Sequence, residues 1–215
     1  MIRAILFDLD DTLIDFKGMK SAAISAAAKA MVKAGLKMTP AEAARKLDKV
    51  YWGVGIESDR AITQFLKMLG KLDDKILAAG INGYLKAKLV HTKPVEDAVA
   101  TIKTLKKKGL KVGVVTDAPR LKAWQRLDLM GMADLFDVVV AFEDTGKKKP
   151  DEAPFRAALK KLGVRPEEAV MVGDWYERDI EGARNLGMKT VLVGKACCDE
   201  DYCINTFEEL QKLMF

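Results

Sequence analysis

The stretch IRAILFDLDDTL, residues 2–13, sets an apolar run directly before a cluster of aspartates. An apolar run near the start of the chain, bounded by polar residues, is typical of a buried strand that ends in a loop. That loop would hold Asp8, Asp10 and Asp11 close together. Like charges at short range repel unless a cation, a proton or hydrogen bonds compensate them. The stretch therefore predicts a compensated acidic site at the end of a core strand.

Length and composition indicate a globular chain with a sizeable core. Its 215 residues are 49% hydrophobic and 31% charged, which is enough for one domain or one domain with an insertion. We find neither a basic leader before an apolar run nor an apolar window of roughly 20 residues that could span a membrane. We therefore expect a cytoplasmic protein with no membrane association.

Charge and cysteine usage argue against a nucleic-acid partner, a disulfide framework and a zinc site. The excess of 36 basic over 31 acidic residues gives +5, is spread over the chain and lacks interleaved aromatic residues, so we expect no nucleic-acid partner. Cys197, Cys198 and Cys203 are odd in number and give no disulfide framework. Their spacing matches no common zinc pattern, so we expect incidental thiols.

Apolar, strand-like runs recur along the chain, and helical patterns separate most of them. The runs cover residues 2–7, 110–116, 136–142, 169–173 and 189–194. The helical patterns cover residues 95–108, 119–130, 152–162 and 178–187. Strands that alternate with helices predict an α/β fold with a doubly wound, Rossmann-like parallel sheet, whose ligands bind at the carboxyl ends of the strands.

One segment breaks the alternation. Residues 16–92 contain no convincing strand and predict four helices, at about 18–34, 40–50, 57–70 and 73–90. We interpret this segment as a helical cap domain inserted after the first strand. The catalytic core would then comprise residues 1–15 and 93–215.

Polar residues follow four of the predicted strands, at the edge where ligands are expected. They are Asp8, Asp10, Thr116, Asp117, Lys149 and Asp174, which comes directly after Gly173, with Asp179 five residues farther on. Each has an ordinary structural explanation, such as a helix start at Asp117 or a cap at Asp179. Together, at one edge of one sheet, they favour a functional site.

This set of residues resembles the four motifs of the haloacid dehalogenase superfamily, whose members are mostly magnesium-dependent phosphatases. Asp8, Asp10 and Thr12 match its DxDxT motif, and Thr116 matches the Ser or Thr that closes the next strand. In KKKPDEAPF, the Lys-Pro pair and the later Phe align Lys149, rather than Lys147 or Lys148, with the third motif.

The fourth motif, GDxxxxD, is matched by GDWYERD through Asp174 and Asp179. The resemblance runs from residue 2 to about residue 195, with the motifs in the right order. The chain departs from the commoner residues at Asp117, which follows the second motif, and at Trp175 inside the fourth. Both departures would shape the pocket rather than change the chemistry.

The resemblance implies a role for each matched residue. Asp8 would be the nucleophile that forms an aspartyl-phosphate, and Asp10 the general acid and base. Magnesium would bind at Asp8, Asp10 (through its backbone carbonyl) and Asp174, while Asp179 would orient a metal-bound water or Lys149. Lys149 and Thr116 would hold the phosphoryl oxygens, and Thr12 and Asp117 would contribute to substrate binding. Magnesium would thereby compensate the acidic cluster of the opening stretch.

The resemblance leaves several activities open. We expect hydrolysis of a small phosphorylated metabolite, such as a sugar phosphate or a phosphoglycolate-like ester, by a monomer or homodimer. A sugar-phosphate mutase would use the same residues, and a 2-haloacid dehalogenase would share the nucleophile without needing magnesium or Asp10. A phosphonatase would need an imine-forming cap lysine, and Lys20, Lys29 and Lys33 are available, although we expect them to be surface charges. A non-catalytic binding module would predict a broken acidic set, whereas this one is intact.

Overall fold

The computed structural model describes residues 1–194 and 201–213. The chain divides into two compact units. The first comprises Met1–Asp15 and Lys93–Phe215, and the second comprises Phe16–Thr92.

The second unit is a helical bundle of four helices, α1 to α4. They span Phe16–Ala34, Pro40–Val54, Ala61–Met68 and Asp74–His91. Helix α1 is rich in alanine, and α4 packs closely against it at glycines. A Cβ atom at Gly83 would lie 2.8 Å from the backbone oxygen of Ala26, so the small residues of both helices permit this close approach.

The first unit contains a six-stranded sheet in which every neighbouring pair is parallel. Strands β1 to β6 span Ala4–Phe7, Lys111–Val115, Val138–Val140, Ala169–Gly173, Lys189–Val193 and Tyr202–Ile204. Their order is β3-β2-β1-β4-β5-β6, with β1 and β4 at the centre. The predicted doubly wound parallel sheet is confirmed. Strand β6 was not predicted, because its three residues form no extended apolar run.

Six α-helices, α5 to α10, accompany the sheet in the described part of the chain. They span Ala98–Lys107, Arg120–Leu129, Phe142–Thr145, Glu152–Leu162, Glu181–Arg184 and Phe207–Lys212. The single helix predicted over residues 178–187 is instead a π-helical turn at Tyr176–Ile180 followed by the short α9. The strand predicted over 136–142 is shorter, because Phe142 already begins α7.

The central strands carry the core of the sheet unit. All residues of β1 and β4 are buried, as expected for parallel strands covered on both faces. At Gly113 of β2, an added Cβ would lie 2.6 Å from Val138 and 2.8 Å from Leu6. Glycine therefore allows neighbouring side chains to fill the space above this strand.

The helices and the cysteines bear on two expectations from the sequence, that no segment crosses a membrane and that the thiols are incidental. Among the described residues, no helix combines the length and apolar character that crossing a membrane requires. The expectation of incidental thiols is wrong for Cys203, which is disulfide-bonded. Cys197 and Cys198 lie outside the described residues.

Candidate active site

The candidate site lies where β1 and β4 run side by side at the centre of the sheet. In an open parallel sheet, ligands bind beyond the carboxyl ends of the strands, at the point where the strand order reverses. Phe7 of β1 is in register with Val172 of β4, and the Asp8 amide donates a hydrogen bond of 2.9 Å to the Val172 carbonyl. This pairing places Asp8 and Asp174, which follow the two strands, at the same edge.

Lys149 connects three parts of the site through its ammonium group. Its Nζ lies 2.5 Å from Oδ1 of Asp8 and 2.6 Å from Oδ1 of Asp179. The same atom donates a hydrogen bond of 2.9 Å to the Val115 carbonyl at the end of β2. The lysine is only 4% exposed. Lys147 and Lys148 of the same loop are exposed, so Lys149 is the lysine of this run that the structure brings to the site.

The pKa values of Lys149 and Asp179 are both raised, the first by charge pairing and the second by burial. Burial lowers the pKa of Lys149, but the charges of Asp179 and Asp8 outweigh burial and raise the pKa above its usual range. Burial raises the pKa of Asp179 to about 7. The positive charge of Lys149 lowers this pKa, and the negative charge of Asp8 raises it. A divalent cation beside this carboxyl would favour its ionised form.

Three carboxylates form a group that fits a hard cation. Asp8, Asp174 and Asp179 each place an oxygen within 4.8 Å of the others. Oxygen ligands of this kind suit Mg²⁺ better than zinc, which favours nitrogen and sulfur. Thr12 stands beside the group, and its hydroxyl donates a long 3.4 Å hydrogen bond to Oδ1 of Asp174. The donor set therefore fits the magnesium that the sequence analysis expects.

The GDWYERD segment brings Asp179 back to the end of β4. The π-helical turn follows Trp175, whose backbone amide donates 3.1 Å to Oδ2 of Asp179. A Cβ at Gly173 would collide with the Asp179 side chain, so only glycine allows this close approach. The motif glycine thus has a steric reason that is visible in the structure.

Thr116 and Asp117 follow β2 at the same edge. The Thr116 hydroxyl is buried and accepts a 3.1 Å hydrogen bond from the Ala118 amide. Asp117 accepts two hydrogen bonds: one of 2.9 Å at Oδ1 from the Lys149 backbone amide, and one of 3.3 Å at Oδ2 from Nη1 of Arg178. Asp117 therefore holds the lysine loop in place, and its contribution to substrate binding stays a prediction.

Asp10 has a buried partner that the sequence analysis missed. Arg126 of α6 is 1% exposed, and its Nη1 donates a 2.9 Å hydrogen bond to Oδ2 of Asp10. The sequence does contain a signal: Ala123, Arg126, Leu127 and Met130 share the helical spacing of a buried face. An arginine on a buried helix face requires a partner, because an unpaired buried charge is costly.

A second arginine lies at the rim of the site. The Arg178 guanidinium carbon is 4.0 Å from the centroid of the Trp175 ring, and the tryptophan is 47% exposed. This contact is a cation–π interaction. Both departures from the commoner motif residues, Asp117 and Trp175, therefore contact the same arginine.

Among the three lysines considered for imine formation, Lys29 and Lys33 are exposed as expected, but Lys20 is buried. Inside the helical unit, Nζ of Lys20 donates hydrogen bonds of 2.5 Å to the Ile56 carbonyl and 2.7 Å to the Tyr84 hydroxyl. The same atom lies 4.0 Å from the centroid of the Tyr51 ring. Donation to two acceptors over an aromatic face suits a charged ammonium, which is not a nucleophile.

Comparisons with known proteins agree with this geometry. The model of the haloacid dehalogenase-like hydrolases matches residues 5–193. The chain belongs to the haloacid dehalogenase-like hydrolase family. The fold and family resemblance inferred from the sequence are therefore confirmed, and the chain is an enzyme of the hydrolase class.

Relatives of this haloacid dehalogenase-like hydrolase include phosphatases. It is 37% identical to the glyceraldehyde 3-phosphate phosphatase of Methanocaldococcus jannaschii, over 98% of this chain and 96% of that protein. It is 34% identical to the phosphoglycolate phosphatase of Aquifex aeolicus, over 89% of this chain and 84% of that protein. Among solved structures, a haloacid dehalogenase-type phosphatase from Thermococcus onnurineus matches with a TM-score of 0.72 and 28% identity, covering 98% and 97% of the two chains.

Proposed function

We propose that this hydrolase is a magnesium-dependent phosphatase that cleaves a small phosphomonoester through an aspartyl-phosphate on Asp8. The observation that carries the proposal is the group formed by Asp8, Asp174, Asp179 and Lys149. It combines a carboxylate nucleophile, ligands for a hard cation and a buried positive charge. Phosphoryl transfer through a phosphoenzyme uses a nucleophile on the protein together with positive charge on the transferred oxygens.

In the first step, an Asp8 carboxylate oxygen attacks phosphorus, and the bond from phosphorus to the alcohol oxygen breaks. Asp10 donates a proton to that departing oxygen. In the second step, Asp10 takes a proton from water as the water oxygen attacks phosphorus, which releases phosphate and frees Asp8. When bound, magnesium supplies positive charge opposite the phosphoryl oxygens.

The other residues hold the reacting groups in place. The Lys149 ammonium, buried against Asp8 and the end of β2, is positioned to neutralise charge on the phosphoryl group, and Thr116 offers a hydroxyl at the adjacent strand end. Asp117 and Asp179 fix Lys149 from its backbone and side-chain ends. Fixed charges in a buried site stabilise developing charge without reorganising during the reaction.

The names of the relatives support a small phosphorylated metabolite as substrate. The two named activities concern glyceraldehyde 3-phosphate and phosphoglycolate. We propose esters of this size as substrates and the helical unit, residues 16–92, as the cap that selects among them. The cytoplasmic location and the monomeric or homodimeric state remain predictions.

The test of the proposed function is a screen of small phosphate esters with added Mg²⁺, scored for free phosphate. Hydrolysis of two- and three-carbon phosphate esters supports the proposal. Transfer of the phosphoryl group to a second sugar hydroxyl, without release of phosphate, would identify a mutase instead. Halide release from 2-haloacids without added metal would identify a dehalogenase.

We expect hydrolysis to require a divalent cation at the carboxylate group. Excess EDTA should abolish hydrolysis of p-nitrophenyl phosphate, and Mg²⁺ should restore it. Asp174→Ala should lose at least about 100-fold in kcat/KM, because it removes one ligand of the cation. A useful control is Asp134→Ala, an exposed carboxylate in the turn before β3, at the opposite end of that strand from the candidate site. Full activity in EDTA would overturn the metal role.

We expect Asp10→Asn to separate the two chemical steps. p-Nitrophenolate leaves without much help from a proton, so the first step should survive better with p-nitrophenyl phosphate than with an alkyl phosphate. The second step lacks its base, so a burst of p-nitrophenolate should precede a stall. Rapid-quench kinetics with both esters would measure this, and an equal loss for both would contradict the role of Asp10.

A further inference from the structure

We propose that Arg126 is a positioning residue that fixes the carboxylate of Asp10 for proton transfer. The inference rests on the proposed function, because it concerns the residue assigned there as general acid and base. Arg126 matches none of the four motifs. It acts through Asp10 and has no assigned contact with the substrate.

The hydrogen bond between Arg126 and Asp10 joins two distant parts of the chain. Asp10 lies in the loop after β1, and its side chain is 25% exposed, whereas Arg126 is buried in α6, 116 residues away along the chain. The 2.9 Å hydrogen bond from Nη1 to Oδ2 restricts rotation of the carboxylate. A general acid must keep its oxygen within hydrogen-bond reach of the leaving group, so a carboxylate held on one side delivers its proton more efficiently.

The burial of a charged side chain at Arg126 also needs an explanation. Arg126 is among the largest fully buried side chains of the described residues. Replacing a buried ion pair by apolar residues of similar volume is often neutral or stabilising, so stability alone does not require a charge at this position. The neighbouring Ala123 and Leu127 show that this face of α6 otherwise packs apolar side chains. A buried charge whose partner is the proposed general acid and base therefore favours a role in the reaction.

Partners that orient metal-ligating side chains contribute about 10- to 100-fold to activity, and we expect a similar range for the partner of Asp10. We expect Arg126→Met to lower kcat for an alkyl phosphate by that factor and to leave KM within about a factor of three, because substrate binding is not its role. The loss should be smaller with p-nitrophenyl phosphate, whose leaving group needs little help from Asp10. The matched control is Arg120→Met on the same helix, which removes a half-exposed arginine that pairs with Asp144.

The decisive experiment is a double-mutant cycle with Asp10→Asn, read as the single-turnover rate with an alkyl phosphate at high enzyme concentration, because this ester depends most on proton donation by Asp10. If Arg126 acts through Asp10, adding Arg126→Met to Asp10→Asn should change this rate by less than about twofold. The same loss in both backgrounds, or a rise in KM with kcat unchanged, would overturn the positioning role.

The test also covers a variant that fails to fold and a wild-type protein that is inactive. If Arg126→Met does not fold, Arg126→Lys enters the same cycle, since it keeps a buried charge but places a single donor differently. We then expect a smaller loss with the same dependence on Asp10, and a loss independent of Asp10 would overturn the proposal. A wild-type protein that hydrolyses no phosphate ester would overturn the proposed function, and this inference with it, whereas failure of the cycle in an active enzyme overturns the inference alone.

Discussion

Asp8→Asn should abolish turnover, with kcat/KM at least about 1000-fold lower for every phosphate ester that the wild-type protein hydrolyses. An amide in place of the carboxylate is a poor nucleophile, so no phosphoenzyme can form whatever the leaving group. The loss should therefore not depend on the leaving group, in contrast to Asp10→Asn. Steady-state kinetics with p-nitrophenyl phosphate and an alkyl phosphate would measure both variants.

The matched control for this prediction is Asp11→Asn in the same loop. Asp11 adopts a left-handed backbone conformation, with φ of 62°, which asparagine tolerates as well as aspartate. The same change of charge three residues away should therefore leave kcat within about a factor of three of the wild-type value. Substantial turnover by Asp8→Asn, or a comparable loss in Asp11→Asn, would contradict the assignment of the nucleophile.

Lys149→Met should lower both stability and activity. The lysine is buried between Asp8 and Asp179, so its removal leaves two carboxylates facing each other without their cation. Removing one partner of a buried ion pair costs about 3–5 kcal/mol of folding free energy. Denaturant unfolding in EDTA should show this loss, and Mg²⁺ should recover part of it, because a bound cation stabilises the folded state.

The activity of Lys149→Met should fall about 100- to 1000-fold even with saturating Mg²⁺, since the site loses the buried positive charge beside Asp8 that we propose to stabilise the phosphoryl group. Lys147→Met is the matched control, because Lys147 belongs to the same run of lysines and is exposed. It should change neither stability nor activity appreciably. If Lys147→Met were as damaging as Lys149→Met, the structural choice among the three lysines would be wrong.

The sheet could be predicted from the sequence because its central strands are continuous apolar runs. All residues of AILF in β1 and AVMVG in β4 are buried, which is the pattern of a strand covered on both faces. Short or irregular elements gave weaker signals. Strand β6 has only three residues, and the π-helical turn of GDWYERD depends on the fit between Gly173 and the buried Asp179 carboxylate.

The site was predictable where one residue follows one strand, and less so where residues meet across the fold. The strand ends carry Asp8, Thr116 and Asp174. The partner of Asp10 comes instead from the buried face of a helix, and no spacing along the chain connects Arg126 with that loop. Lys20 is a similar case, because an apparent surface lysine is buried by Tyr51 and Tyr84 of its own unit.

Acid quenching during turnover would show whether Asp8 carries the phosphoryl group. Wild-type protein would be mixed with substrate and Mg²⁺, quenched within the first turnover, digested, and analysed by peptide mass spectrometry with and without hydroxylamine. We expect one phosphoryl group on Asp8, and hydroxylamine should remove it as it removes an acyl phosphate. The same phosphorylated species should accumulate in Asp10→Asn with p-nitrophenyl phosphate. A phosphoryl group on another residue, or product release in Asp10→Asn with none on Asp8, would contradict this expectation.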